Sequence, residues 1–138
     1  MNRHWYVLDA STVPLGRLST TAASLLMGKQ KPNLAPHVDA GDYVVVINSD
    51  SLIITGNKTA NNVYHRHSGF PSGLRQKTLG EVLAKNSSEI IRHAVRGMLP
   101  DNKLRKGRLA RLKIYGSSDH PHQAQNPQSV TLVGSDKR

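Results

Sequence analysis

The run Tyr43-Val44-Val45-Val46-Ile47 constrains this chain more than any other segment. It is apolar without alternation and almost wholly β-branched. A strand with one wet face alternates apolar and polar residues, so this one is expected to be covered on both faces, the environment of a parallel sheet. Upstream, Trp5-Tyr6-Val7-Leu8 is a second β-favouring run, ended by the turn chemistry of Asp9-Ala10-Ser11-Thr12-Val13-Pro14. Between the two, Leu15, Leu18, Ala22, Leu25 and Leu26 recur at three- and four-residue spacing, and Gly28 follows as a C′ residue. That spacing predicts an amphipathic helix from Leu15 to Met27. Lys29 to Asp42, with Pro32, Pro36 and Gly41, reads as a loop. Strand, helix and buried strand in succession form a βαβ unit with parallel strands and a right-handed crossover, so the fold class is α/β.

Beyond the Asn48-Ser49-Asp50-Ser51 turn, Leu52-Ile53-Ile54-Thr55 predicts a third strand closed by Gly56, and Val63-Tyr64-His65-Arg66 a fourth, less apolar one. Thr78-Leu79-Gly80-Glu81 matches a capping box and opens a short helix through Val82, Leu83 and Lys85. Ser87 or Ser88 is expected to cap the next helix, with Ile90, Ile91, Ala94, Val95 and Met98 on one face and an end before Pro100. Leu104 to Arg111 reads as helix, Leu112 to Tyr115 as a late strand, and His120 to Arg138 as a loop and polar tail. The length of 138 residues suits one domain, placed at residues 1–128 with a tail at 129–138.

With no cysteine, the chain has no disulfide, no thiolate zinc site and no thiol chemistry. Its longest apolar run falls far short of the roughly 20 residues that span a bilayer. Residues 1–15 carry Arg3, His4 and Asp9 and no apolar stretch of signal-peptide length, so the protein is expected to stay inside the cell. The formal charge is +10. Solubility requires less, and a polyanionic partner is the simplest compensation. The excess lies in the second half: Lys103, Arg105, Lys106, Arg108, Arg111 and Lys113 follow one another with no acid between them.

That run is the sharpest chemical feature. On a helix Arg105, Arg108 and Arg111 fall at three-residue spacing and are expected to project together, where a merely solvated face would mix signs. Phosphate-backbone binding fits such a face. A second candidate surface is His65 to Lys77, read as a loop: glycines and a proline let backbone come close to a ligand, and His65, Arg66, His67, Ser68, Arg75 and Lys77 all donate to phosphate. A third is Gly116 to Gln125, with His120 and His122. Three of the six aromatic residues (Trp5, Tyr6, Tyr43) belong to expected strands, so recognition by shape and backbone is favoured over base stacking.

Other chemistries fare worse. The first βα junction has only Gly16 where a dinucleotide fold carries its glycine fingerprint, and neither phosphate-loop motif occurs. The pairs His65-x-His67 and His120-x-His122 have metal-ligand spacing but no neighbouring carboxylate at the first pair and no HExxH, so no metal is expected. Ser68 beside His67 is the only suggestive nucleophile pair, and adjacent residues rarely form a triad. A nucleotide-dependent enzyme and a DNA-binding regulator are the competing classes. The first needs a phosphate loop that is missing, the second a recognition helix and usually a dimer.

Several stretches in one order resemble a single family, the thirteenth protein of the large ribosomal subunit in its bacterial and organellar form. They are Trp5-Tyr6-Val7 with Asp9-Ala10, Leu15-Gly16-Arg17-Leu18, Gly28-Lys29, Pro36-His37-Val38-Asp39-Ala40-Gly41-Asp42, Thr55-Gly56-Asn57-Lys58, His67-Ser68-Gly69, Ala94-Val95-Arg96-Gly97-Met98-Leu99-Pro100 and His120-Pro121-His122-Gln123-Ala124-Gln125. The sequence departs from the family after Pro100, where Leu104 is followed by Arg105-Lys106-Gly107-Arg108 in place of the usual Leu-Gly-Arg, with the positive charge kept. The resemblance implies a three-layer α/β/α fold on a four-stranded, mainly parallel sheet. It implies no enzymatic activity, no cofactor, no membrane and no small-molecule substrate. It further implies a monomer within a cytoplasmic or organellar ribosome, direct binding to large-subunit rRNA early in assembly, and contacts with neighbouring ribosomal proteins. Lys29, Lys31, His37, Lys58 and Arg96, in or beside the matching stretches, join the candidate RNA contacts.

Overall fold

The computed structural model describes residues 2–132. Strand β1 (Trp5–Asp9), helix α1 (Leu15–Met27) and strand β2 (Tyr43–Ile47) form the expected βαβ unit. The two strands pair parallel from Trp5↔Tyr43 to Asp9↔Ile47. Gly28 ends α1 at φ +78, and a Cβ there would stand 2.8 Å from the Ala40 carbonyl oxygen, so only glycine fits. Asp9 then closes the β1–α1 turn: its carboxylate accepts from the Ser11 amide (2.9 Å), the Ser11 hydroxyl (2.6 Å) and the Asn48 side chain (3.1 Å).

The middle of the chain departs from the sequence expectation in an informative way. Leu52 to Thr55 is not a strand, since both edges of β2 are taken, one by β1 and the other by a late strand, β5 (Leu112–Ile114). Asn48, at φ 57, and a 3-10 turn over Ser49–Ser51 carry the chain off the sheet, leaving one isolated bridge from Ile53 to Pro14. After the short helix α2 (Lys58–Asn61) come β3 (Val63–His67) and β4 (Leu74–Thr78), an antiparallel hairpin separate from the main sheet. The region expected to be a loop from His65 to Lys77 is therefore mostly this hairpin. The Leu-Arg-Gln-Lys-Thr sequence of β4 has no apolar alternation to announce it.

Helix α3 (Leu79–Lys85) carries the expected capping box, with Glu81 N donating to Thr78 Oγ1 (3.4 Å) and Thr78 N to Glu81 Oε2 (3.3 Å). Helix α4 (Ser87–Met98) is capped by Asn86, not by either serine: the Asn86 side chain accepts from Ser88 N at 3.2 Å. Ser87 turns inward, donating to Asp50 at 2.8 Å and bonding the Ser49 hydroxyl at 2.9 Å. Helix α5 (Leu104–Ala110) leads into β5.

The fourth strand of the main sheet, β6 (Gln128–Ser129), comes from the segment expected to be loop and tail. It pairs parallel with β1, the amide of Val130 donates to the Val7 carbonyl at 3.0 Å, and Val130 and Leu132 pack on the core. The sheet thus continues past residue 128; residues 133–138 of the expected tail lie outside the described residues. The order β5-β2-β1-β6, parallel throughout, is the four-stranded α/β architecture that was expected. One face, through Leu8, Val44, Val46 and Leu112, packs with Leu18, Leu26, Ile90, Ile91 and Val95 of the helices into one core. Each such fully buried side chain contributes roughly 1.5–3 kcal/mol.

Candidate nucleic-acid interface

The basic run from Lys103 to Lys113 does not form the exposed stripe its spacing suggests. Arg111 and Arg108 are buried, at 5% and 3% exposure. Both turn toward Asp39: Arg111 grips its two carboxylate oxygens at 2.6 Å each, and Arg108 Nε lies 3.8 Å away. Arg111 also donates to the Leu26 carbonyl (3.3 Å), satisfying an unpaired acceptor at the end of α1. A Cβ on Gly41 would collide with that carbonyl, so glycine is required where the loop passes. Arg105 folds back onto the Pro100 and Leu99 carbonyls (3.1 and 3.3 Å) and pairs with Asp101 at 3.1 Å. Of the basic residues in the run only Lys103 and Lys106 are exposed, and Lys113 is half-buried in β5. The expectation that Arg105, Arg108 and Arg111 project together is corrected: Asp39, far away in sequence, draws two of the three inward.

Lys31 is corrected on the same ground. Its ammonium group donates to Asn2 O (3.1 Å), Ala40 O (2.9 Å) and Asp42 Oδ1 (2.6 Å), which uses all three of its protons. Asp42, fully buried, also accepts from Gln30 (2.7 Å) and from the His4 amide (2.9 Å). The two carboxylates of the Val38-Asp39-Ala40-Gly41-Asp42 stretch therefore organise cations of this chain.

His120 and His122 are half-buried. His122 Nε2 bonds the Tyr115 hydroxyl at 2.7 Å, and the ring packs 4.9 Å from Trp5, itself stacked on Tyr43 at 4.3 Å. Burial, with the charges of His120 and Lys113, holds the His122 pKa below 6.5. The His122 ring is thus part of the packing beside Trp5 and Tyr115. Lys29, His37, Lys58 and Arg96 are exposed.

The hairpin is what the structure does bring together. His65, Arg66, His67, Ser68, Arg75 and Lys77 are all exposed. In register Arg66 stands opposite Arg75 and Tyr64 opposite Lys77, which puts Tyr64, Arg66, Arg75 and Lys77 on one face. That face overhangs α3 and α4, leaving a cleft of about 320 Å³. Tyr64, His65, Arg66, Arg75, Lys77, Val82 and His93 line it, with Glu89 as its carboxylate. The Tyr64 ring meets His93 edge-on at 4.7 Å. His93 was missed from the sequence. The available signal was its place on α4 opposite the buried Ile90, Ile91 and Val95. The two histidine pairs considered for metal sit in different elements, β3 and the segment after β5, and among the described residues no three His, Asp or Glu side chains gather as a metal site. No described helix is long and apolar enough to cross a membrane.

A chain with this parallel sheet and basic hairpin matches the family model described as ribosomal protein L13 over residues 3–121. It belongs to the ribosomal protein L13 family. The large ribosomal subunit protein uL13 of Cutibacterium acnes is 52% identical over 133 residues, covering 96% of this chain and 90% of that protein. Those of Trichlorobacter lovleyi and Thermotoga maritima are 48% and 50% identical over 132 residues, covering 96% of this chain and 93% and 89% of theirs. Family membership makes the chain a structural ribosomal protein of bacterial type, not an enzyme.

Proposed function

We propose that this ribosomal protein is a constituent of the large ribosomal subunit that binds large-subunit rRNA directly, beside neighbouring ribosomal proteins, and supports early subunit assembly. The observation that carries the reading is the hairpin. Arg66 and Arg75 face each other across two strands, and no carboxylate occurs from Val63 to Thr78. Like charges directly opposite destabilise a strand pair, and Glu89 is the one carboxylate among the cleft residues, so an outside anion would relieve the surplus positive charge. The phosphate backbone of folded RNA is such an anion. Lys77, Lys58, Arg96, Lys103 and Lys106 are further exposed cations for the same polyanion.

The test is the salt dependence of binding to protein-free large-subunit rRNA. With about six phosphates neutralised, a fourfold rise in salt should weaken binding on the order of a thousandfold. A flat plot of log affinity against log salt would sink the reading. For the assembly role, the protein should bind the bare rRNA before other large-subunit proteins are added. A requirement for those proteins would reverse that order.

A further inference from the structure

The hairpin tip carries one residue that charge alone does not explain. Phe70, the only phenylalanine of the chain, is 74% exposed, more than any other large apolar side chain described. It is held there by a tight turn. Gly73 N donates to Phe70 O at 3.0 Å, with Pro71 second and Ser72, at φ 61, third in the turn, the pattern of a type II turn. Ser68 N donates to Gly73 O at 3.1 Å and Gly69 N to His67 Nδ1 at 2.9 Å. A Cβ on Gly73 would stand 2.9 Å from the Phe70 carbonyl oxygen, so glycine suits the place where the tip closes. These bonds hold the backbone of the tip, and the Phe70 ring stands in the open on it.

We propose that Phe70 is a stacking platform for one unpaired nucleobase of the bound RNA, with Arg66 and Arg75 behind it on the phosphates that flank that base. The proposal rests on the RNA-binding reading above and sharpens it. Its ligand has two chemical parts. The exposed aromatic face calls for a flat π surface, and the acid-free hairpin with His67, Arg66 and Arg75 calls for negative charge beside it. An unpaired nucleotide supplies both; double-stranded RNA keeps its base faces inside the stack, so the partner is a loop, a bulge or an end. The scarcity of aromatics argues against a stacking surface made of many rings, but one exposed ring is enough for one base.

The experiment compares the parent, Phe70→Leu and Phe70→Trp on two probes: protein-free large-subunit rRNA and a blunt RNA duplex with no unpaired base. Melting curves confirm that each variant is folded. Phe70→Leu should bind the rRNA roughly 5- to 150-fold more weakly, the range for one stacked base, with an unchanged salt slope. Phe70→Trp should bind like the parent, and all three should bind the duplex equally. The stacking proposal is overturned if Phe70→Leu binds rRNA as the parent does, or if it loses affinity for both probes alike. A Phe70→Leu protein with full rRNA affinity but poor incorporation into subunits would assign the ring to a protein neighbour and also overturns it. If the parent itself fails to bind rRNA at low salt, the RNA-binding reading falls and takes this one with it.

Discussion

Arg111 and Asp39, separated by 72 positions in the chain, are joined by two parallel hydrogen bonds of 2.6 Å. The pair ties the α5–β5 junction to the loop that enters β2, and the third Arg111 contact, to Leu26 O, fastens both to the end of α1. One planar guanidinium reaches a carboxylate and a helix carbonyl together, a geometry that an ammonium group does not reproduce.

Removing Asp39 leaves the buried guanidinium groups of Arg111 and Arg108 without their carboxylate. Asp39→Leu should therefore cost about 3–5 kcal/mol of stability. Arg111→Met should cost less, because the Asp39 side chain is 21% exposed and keeps Arg108 at 3.8 Å and Arg3 at 3.7 Å. The double variant should be more stable than the two single losses summed. Urea denaturation midpoints of the three variants check this, and strict additivity would show that the pair is not coupled.

Stability should fall in acid through the same carboxylate. Burial pushes the Asp39 pKa up, but the hydrogen bonds and charge of Arg111, with the charges of Arg3 and Arg108, outweigh it and hold the pKa below 3.8. The unfolded chain then binds the proton more readily than the folded one. The contribution is present above the unfolded value and is lost as pH falls from about 5 through the depressed folded pKa. Asp39→Asn should flatten the stability profile in that window, and an unchanged acid limb would refute the assignment.

His122 works in the same direction at higher pH. Its folded pKa lies below 6.5, so the unfolded state takes up the proton first as pH drops. Its contribution is complete above 6.5 and declines below it, through the folded value. Melting temperatures of the parent and His122→Gln from neutral pH into mild acid should converge as pH falls. A constant difference between them would show that the His122 pKa is the same in the folded and unfolded states.

The hairpin should separate binding from stability. The Arg66→Ala/Arg75→Ala protein loses a like-charged cross-strand pair, a change worth about 0.2–1 kcal/mol in favour of the fold. Its melting temperature should be unchanged or slightly higher. Its affinity for large-subunit rRNA should fall, and the slope against salt should flatten by about two. Equal binding by parent and variant would remove the hairpin from the interface.

Val45 tests the sheet. It is fully buried and lies between Val7 and Lys113 in register. Val45→Asp would bury an unpaired carboxylate at a cost of several kcal/mol, and the variant should not fold. A cooperative melt near that of the parent would contradict the doubly covered strand.

By itself the sequence determined those parts whose causes are local. Helix α1 was legible from Leu15 to the Gly28 cap, α3 from its capping box, and β2 from an apolar run that suits only a covered strand, because the interacting residues lie within a few positions of one another. The surplus of positive charge was legible too, since it is a sum over residues. Tertiary structure alone decided where each charge points. Arg105, Arg108 and Arg111 share a helical spacing, but Asp39 is folded against that helix and turns two of them inward. Nor was β4 or β6 marked locally: one lacks alternation and the other is two residues long, and each exists by virtue of the strand it pairs with. The exposure of Phe70 belongs to the same class. An aromatic ring is ordinarily a core residue, and only the folded structure shows that none of the described residues covers it.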